Sequence, residues 1–350
     1  MNLLGYLGKK PKPFVLTFAI ALVAFVGFVD YLTGIELSLS IFYLLPISIV
    51  AWYAGKWEAY LISILSAFTW LLVDMLAARV YAYPFIHYWN AAVRLGIFLI
   101  VTYILSKLKS SIEYELESAS EIQKGFLPKE VPQIQGYEIS CVLKPSHAVS
   151  GDYFDVIKYN ENELGLCVAD VVGHGIPAAL LMSNLQAAVK IFASSKIVPQ
   201  ELCEKLNRTI SKNIVSGRFI TFFYGLLDAK RKKLVYTNAG HNPPILLRKD
   251  GSHILLDAND LVLGISHEWK YNQGEIDLHS GDRLILFTDG VTELSNFKEK
   301  QFGVERLINL LEKNHELDAS DLQKLILAEL TKFSKGVFPD DITLVVIAAQ

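Results

Sequence analysis

Several acidic residues stand where apolar runs meet glycine or a chain turn. Asp152 lies in Ser150-Gly151-Asp152-Tyr153-Phe154-Asp155. Asp170 ends an apolar run in Ala169-Asp170-Val171-Val172-Gly173-His174-Gly175. Asp289 ends another in Leu286-Phe287-Thr288-Asp289-Gly290-Val291. Asp340 and Asp341 directly precede the apolar run Ile342–Ile347. A carboxylate at the end of a buried strand is a hard oxygen ligand on a rigid support. Several such groups meeting at one point repel unless cations lie between them, and a carboxylate-rich, thiolate-free site suits Mg²⁺ or Mn²⁺. Two ions about 3.5–4 Å apart can acidify a water and orient a phosphate for in-line attack, so no Cys or Ser nucleophile is needed. Taken singly, an Asp-Gly pair reads as a turn. Recurrence of strand-end acids, with a closing Asp-Asp, sets a metal site level with a set of turns, and periodicity goes no further.

The elements that must carry these acids follow from periodicity. Alternation predicts strands over Tyr137–Leu143, Tyr153–Tyr159, Leu164–Ala169, Arg218–Asp228, Lys232–Thr237, Pro244–Arg248, Arg283–Thr288 and Ile342–Ile347. Helical spacing predicts helices over Ile176–Phe192, Gln200–Ile214, Glu305–Lys313 and Ala319–Phe333. Strands come in adjacent runs and helices in pairs. That order predicts antiparallel sheets with helices stacked outside, an α+β sandwich rather than a wound parallel sheet.

The first third of the chain is different. Residues 1–106 hold six Lys/Arg and four Asp/Glu, whereas residues 107–350 hold 27 and 32. Four apolar stretches, about 14–30, 37–55, 59–78 and 88–106, approach the roughly 20 residues that a helix needs to cross a bilayer. The expected organisation is a four-helix transmembrane region over 1–106, a helical connector over 107–127 and a catalytic domain over 128–350. Lys9, Lys10 and Lys12 precede the first stretch, Lys56 separates the second and third, and Lys107 and Lys109 follow the fourth. An even number of spans places all of them on one side, which the positive-inside rule makes cytoplasmic. The reading is a multi-pass membrane protein with both termini in the cytoplasm. Asp30, Asp74 and Arg94 fall near the outer span ends, where an Asp74–Arg94 pair or a small ligand pocket would offset their cost.

Leu105, Leu108, Ile112, Leu116, Ala119, Ile122 and Phe126 form a helical stripe that stops at Leu127-Pro128. The stripe can pack on its own domain, or two copies can pair as a short parallel coiled coil and make a homodimer. The net charge of −3 argues against nucleic-acid binding. Three scattered Cys, without a CxxC, give no disulfide framework or zinc signature.

From about Ala119 to Ile347 the chain resembles the SpoIIE/RsbU-type branch of the metal-dependent protein phosphatases, the protein phosphatase 2C-like (PPM) family. The matching segments occur in order: EIQKGFLP, SGDYFDV, ADVVGHG, FITFFYGLLD, TNAGHNPP, LFTDGVTE and DDITLVVI. The resemblance implies an αββα sandwich, two Mn²⁺ or Mg²⁺ ions and hydrolysis of phosphoserine or phosphothreonine on a protein. The implied substrate is a phosphorylated STAS-type anti-sigma-factor antagonist. By position, Asp170 resembles the metal-bridging carboxylate, with the Val171 carbonyl as a neighbouring ligand. Asp289 and Asp340 resemble further ligands, with Asp170 and Asp289 acting through a metal-activated water. Asp152 resembles the first-motif acid, and Asp341 a capping or orienting group. Ser150 stands where the branch usually has Gly, and Ala169-Asp170-Val171-Val172 replaces a commoner GDVSG-like run. The four-span region resembles an uncharacterised sensor-type module through DYLTG, FYLLPI, AWYAG and YWNAAVRLG.

His174 and His241 read as structural hydrogen-bonding residues beside turns, and Arg218 is a candidate phosphate contact. The rival reading is a non-catalytic membrane scaffold that binds the phosphoprotein. A degenerate member should have lost Asp170, Asp289 or Asp340, and all three are present.

Overall fold

The computed structural model describes residues 7, 10–33, 39–77, 81, 83–214, 217–257 and 260–350. The chain divides into two units, Met1–Glu115 and Leu116–Gln350. The division falls within the expected connector, between Glu115 and Leu116.

The first unit contains α1 (Lys12–Thr33), a 3₁₀ turn (Ser40–Tyr43) running into α2 (Leu44–Tyr53), α3 (Lys56–Leu76) and the start of α4 (Ile86–Lys124). Among the described residues, α1, α3 and α4 are long and apolar enough to cross a membrane. The expected second span is not confirmed. Its uncharged run is long enough on paper, but the described helix covers only Ser40–Tyr53. Four 3₁₀ and ten α-helical residues rise about 23 Å, against about 30 Å of hydrocarbon. Residues 37 and 38 of that expected span, and residue 78 of the third, lie outside the described residues.

Apolar residues of all four helices share one core, including Val15, Val23, Ile47, Val50, Ile62, Trp70 and Phe98. Lys12 Nζ lies 3.7 Å from Glu58 Oε1, so α1 and α3 begin at the same end of the bundle. Asp74 is buried, 2.6 Å from His87 Nδ1, and accepts a 3.0 Å hydrogen bond from the Tyr81 hydroxyl. The Arg94 guanidinium lies 3.6 Å from the centre of the Trp70 ring, and Asp30 accepts a hydrogen bond from the Leu39 amide.

The second unit is built on ten strands: β1 (Tyr137–Lys144), β2 (Tyr153–Lys158), β3 (Glu163–Val171), β4 (Ile220–Asp228), β5 (Lys233–Ala239), β6 (Ile245–Leu247), β7 (His253–Leu255), β8 (Gly274–Asp277), β9 (Arg283–Phe287) and β10 (Ile342–Ala349). They form two sheets, ordered β1-β10-β9-β6-β7 and β2-β3-β4-β5-β8. Every pairing is antiparallel. The helices are α5 (Ile176–Phe192), α6 (Pro199–Asn213), the one-turn α7 (Asp289–Thr292), α8 (Val304–Glu312) and α9 (Ala319–Ser334).

Strand alternation sorts the core into layers. Leu166 and Val168 of β3 face Val345 and Ile347 of the other sheet. Their neighbours Cys167, Ala169 and Val171 pack on Met182 and Leu185 of α5 and Leu206 of α6. Ile285, Phe287, Leu344 and Val346 pack on Leu307 of α8 and Leu322 and Ile326 of α9. The order is helices, sheet, sheet, helices, as the αββα expectation requires. The alternation missed β7 and β8, which are three and four residues long and largely exposed, so they carry no buried face to read.

Candidate active site

The acids converge at one edge of the two sheets. Asp170 lies on β3 opposite Thr221 of β4. Asp152 immediately precedes β2, Asp289 opens α7 at the end of β9, and Asp340 and Asp341 precede β10. The inner pair β9 and β10 join Phe287 to Leu344, which brings the last two groups together.

Asp152 is buried, and its Oδ2 accepts hydrogen bonds from Thr288 Oγ1 at 2.8 Å and Thr343 Oγ1 at 2.6 Å. Thr343 N in turn donates to Thr288 Oγ1 at 3.0 Å. Hydrogen bonds to a charged group contribute about 1.5–3 kcal/mol each and favour ionisation. They lose here. Burial, then the charge of Asp170, pushes the Asp152 carboxyl well above the usual range. Burial, then Asp289 and Asp340, pushes Asp170 up to about 7. Burial, then Asp340 and Glu293, pushes Asp289 up to about 6. No Lys or Arg figures among the main influences on these three. The acids repel one another in a partly dry place without a protein cation to offset them.

That imbalance fits a divalent metal site, because cations are what this donor set lacks. Among the described residues, no three His, Cys, Asp or Glu side chains form a ready-made ligand cage.

The Val171 side chain is buried in the core, and its carbonyl oxygen lies beside Gly151. Gly151 lies so close that a Cβ there would stand 3.2 Å from the Val171 carbonyl oxygen and 3.1 Å from the Ala178 Cβ. The glycine of Ser150-Gly151-Asp152 is thus a close-approach residue. Asp341 is saturated by donors. Its Oδ1 accepts from Ser146 N at 2.7 Å and Ser146 Oγ at 2.9 Å, and its Oδ2 from Ser150 Oγ at 2.6 Å and Gly151 N at 2.8 Å. It clamps the Ser146–Gly151 loop.

His174 is exposed, its ring stacked on His147 at 5.0 Å. Arg218 Nη1 donates a long 3.5 Å bond to the Val172 carbonyl, beside the Asp170 turn. His241 is buried, 2.8 Å from Thr221 Oγ1 through Nδ1, and its amide donates to Asn238 Oδ1 at 2.7 Å. Burial pushes its imidazole down to about 4 from the ordinary 6.5. The unfolded chain takes a proton on His241 below pH 6.5, whereas the folded chain resists until about pH 4, so its contribution is complete above 6.5 and declines across that window. The expected loss is roughly 2 kcal/mol by pH 5. Over the same window the raised carboxyls of Asp170 and Asp289 gain stability in any variant that keeps them, so the reading is a difference: in urea unfolding of metal-free protein at pH 7 and 5, the wild type should lose roughly 2 kcal/mol relative to His241→Asn. The same change in both would assign the acid sensitivity to other groups.

Sequence reasoning did not single out Thr288, Thr343, Ser146 or Glu293, and it marked Ser150 only as a departure from the family pattern. Thr288 and Glu293 lie in the segment Leu286–Glu293 already marked by Asp289, but their partners become visible only once the sheets are assembled.

Comparison with known proteins places this geometry. The family description "Stage II sporulation protein E (SpoIIE)" matches residues 160–350. Over 246 residues the chain is 35% identical to phosphoserine phosphatase RsbU of Bacillus subtilis (strain 168), covering 69% of this chain and 72% of that protein. The chain belongs to the SpoIIE family. It is a serine/threonine phosphatase of the protein phosphatase 2C type. The fold agrees: the SiaA-PP2C domain of Pseudomonas aeruginosa superposes with a TM-score of 0.60 at 21% identity, covering 69% of this chain and 99% of that one. RsbX in complex with magnesium superposes with a TM-score of 0.50 at 18% identity, covering 63% and 99%.

Proposed function

We propose that this SpoIIE-family chain is a membrane-anchored phosphatase that removes phosphate from phosphoserine or phosphothreonine on a STAS-type anti-sigma-factor antagonist, under control of a signal received by the N-terminal helices. The observation that carries the metal-dependent part is the set of mutually repelling, partly buried carboxylates with no cation of their own. The phosphoserine specificity rests on likeness to RsbU.

Asp170, Asp289, Asp340, the Val171 carbonyl and Asp152 would hold two Mn²⁺ or Mg²⁺ ions. Such ions supply an activated water and charge stabilisation for the phosphoryl group. Thr288 and Thr343 anchor one Asp152 oxygen. Asp341 holds the Ser146–Gly151 loop against the other motifs. Arg218, next to the Val172–Gly173 turn, is in reach to meet the substrate's phosphate.

The membrane assignment rests on the three long apolar helices. Because α1 and α3 begin at the same end, the short Ser40–Tyr53 run carries the chain back across the bundle and serves as the fourth pass. Lys12, Lys56, Lys107 and Lys109 then share the cytoplasmic side, with both termini. Leu108, Ile112 and Ile122 of the α4 stripe are exposed in the single chain, which supports pairing of two connectors in a homodimer.

The test is phosphate release by the full-length protein from a serine-phosphorylated STAS protein. Release should require Mn²⁺ or Mg²⁺, stop with EDTA and return when excess metal is added. Binding of the phosphoprotein without release would instead make the chain a scaffold.

A further inference from the structure

The hydrogen bonds behind Asp152 lead to an unexpected place. Gln123, one residue from the end of α4, is buried although its neighbours Glu121, Ile122 and Lys124 are exposed. Its Nε2 donates to the Ser150 carbonyl at 2.7 Å, and its Oε1 accepts from the Ser150 amide at 2.8 Å. One side-chain amide thus satisfies both backbone groups of one residue, as a neighbouring strand would. Only this orientation of the amide matches donor with acceptor at both ends.

Ser150 passes the constraint on. Its hydroxyl donates to Asp341 Oδ2 at 2.6 Å and accepts from the Asp152 amide at 3.0 Å. The chain of bonds therefore runs from the last turn of α4, through Ser150, to Asp152 and to the residue beside Asp340. Asp152 itself is buried and crowded by Asp170, so its placement depends on such external support.

We propose that Gln123 is a positioning residue for the metal site: its amide sets the Ser150–Asp152 segment, and through it the carboxylates that receive the ions. This rests on the metal-dependent phosphatase reading and adds to it the atoms by which α4 reaches the site. Glutamine is the residue type the position requires. Glutamate keeps the acceptor and loses the donor, lysine does the reverse, and methionine has neither. A turn of α4 by one residue, about 100°, would replace Gln123 by Ile122 or Lys124. Neither can bind both groups of Ser150, so any signal that rotates α4 changes support for Asp152.

The test uses the full-length protein in detergent and Gln123→Met, with Gln123→Glu as the second variant. Mn²⁺ binding is read from the EPR signal of free Mn²⁺, the metal-free Tm is read separately, and phosphate release is titrated with Mn²⁺. Outer-sphere partners of metal ligands typically control 10–100-fold in affinity. Both variants should bind Mn²⁺ about 10-fold more weakly. The Mn²⁺ needed for half-maximal release should rise in proportion, with kcat at saturating metal largely recovered. Wild-type Mn²⁺ affinity in a folded variant, whatever its Tm, overturns the proposal. So does failure of both variants to fold, since the amide then serves the fold alone. A wild type that binds Mn²⁺ but releases no phosphate would sink the phosphatase reading, while the ratio of Mn²⁺ affinities still decides the role of Gln123.

Discussion

Asp170→Asn should abolish phosphate release and, at the same time, make the metal-free protein more stable. The two effects have one cause. Asp170 is the acid on which the others converge: burial, Asp289 and Asp340 all disfavour its charge, and it disfavours the charge of Asp152. Asparagine keeps the size and removes the charge. Loss of a carboxylate from the proposed metal site is expected to slow release on the order of 10³-fold, about 4 kcal/mol of barrier. Relief of repulsion in the metal-free protein should give back roughly 2 kcal/mol at pH 8. Thermal unfolding with EDTA should therefore show a higher Tm than wild type, whereas Mn²⁺, which stabilises by binding only the folded form, should raise the variant's Tm much less. A residue important only for folding would show the opposite sign with EDTA. A variant that keeps its rate would remove Asp170 from the site.

The acids were legible because strand ends leave a local trace: an apolar run, an Asp, then Gly or Val. Alternation was legible for the same reason, since Leu166 and Val168 must face one layer while Cys167 and Ala169 face the other. What supports the acids left no such trace. Thr288 and Thr343 lie 136 and 191 residues from Asp152, and a threonine in a strand is ordinary until its partner is known. Gln123 lies off the apolar stripe of the connector, and only its contact with Ser150 sets it apart. In the first unit, apolar length overstated helical length. The uncharged run 37–55 suggested a full span, while the described helix occupies Ser40–Tyr53. Composition reports where charge is absent, not where backbone hydrogen bonding begins.

Gly290 is where packing rather than charge should have the largest effect. It follows Asp289 in α7 and lies against the segment that carries Asp340 and Asp341. A Cβ at Gly290 would fall inside the Asp341 carbonyl oxygen, 3.0 Å from its carbonyl carbon and 3.6 Å from the Asp340 Cβ. The obstacle is backbone, so no rotamer relieves it. Either α7 or the start of β10 must move, and each carries an acid of the site. Overpacking of this kind costs about 1–3 kcal/mol, with the upper end expected where side chains cannot yield. A displacement of about 1 Å at a catalytic group can cost about 10²-fold in rate. Gly290→Ala is therefore expected to lower stability by about 3 kcal/mol and kcat/KM on the order of 10²-fold, with excess Mn²⁺ restoring little because the acids no longer face one another correctly. Gly96→Ala in α4 is the control: nothing lies within 4 Å of the added Cβ, and alanine is the better helix former, so rate and Tm should hold. If Gly290→Ala matched that control in both measurements, the close approach of α7 to β10 would not be what holds Asp289 and Asp340 together.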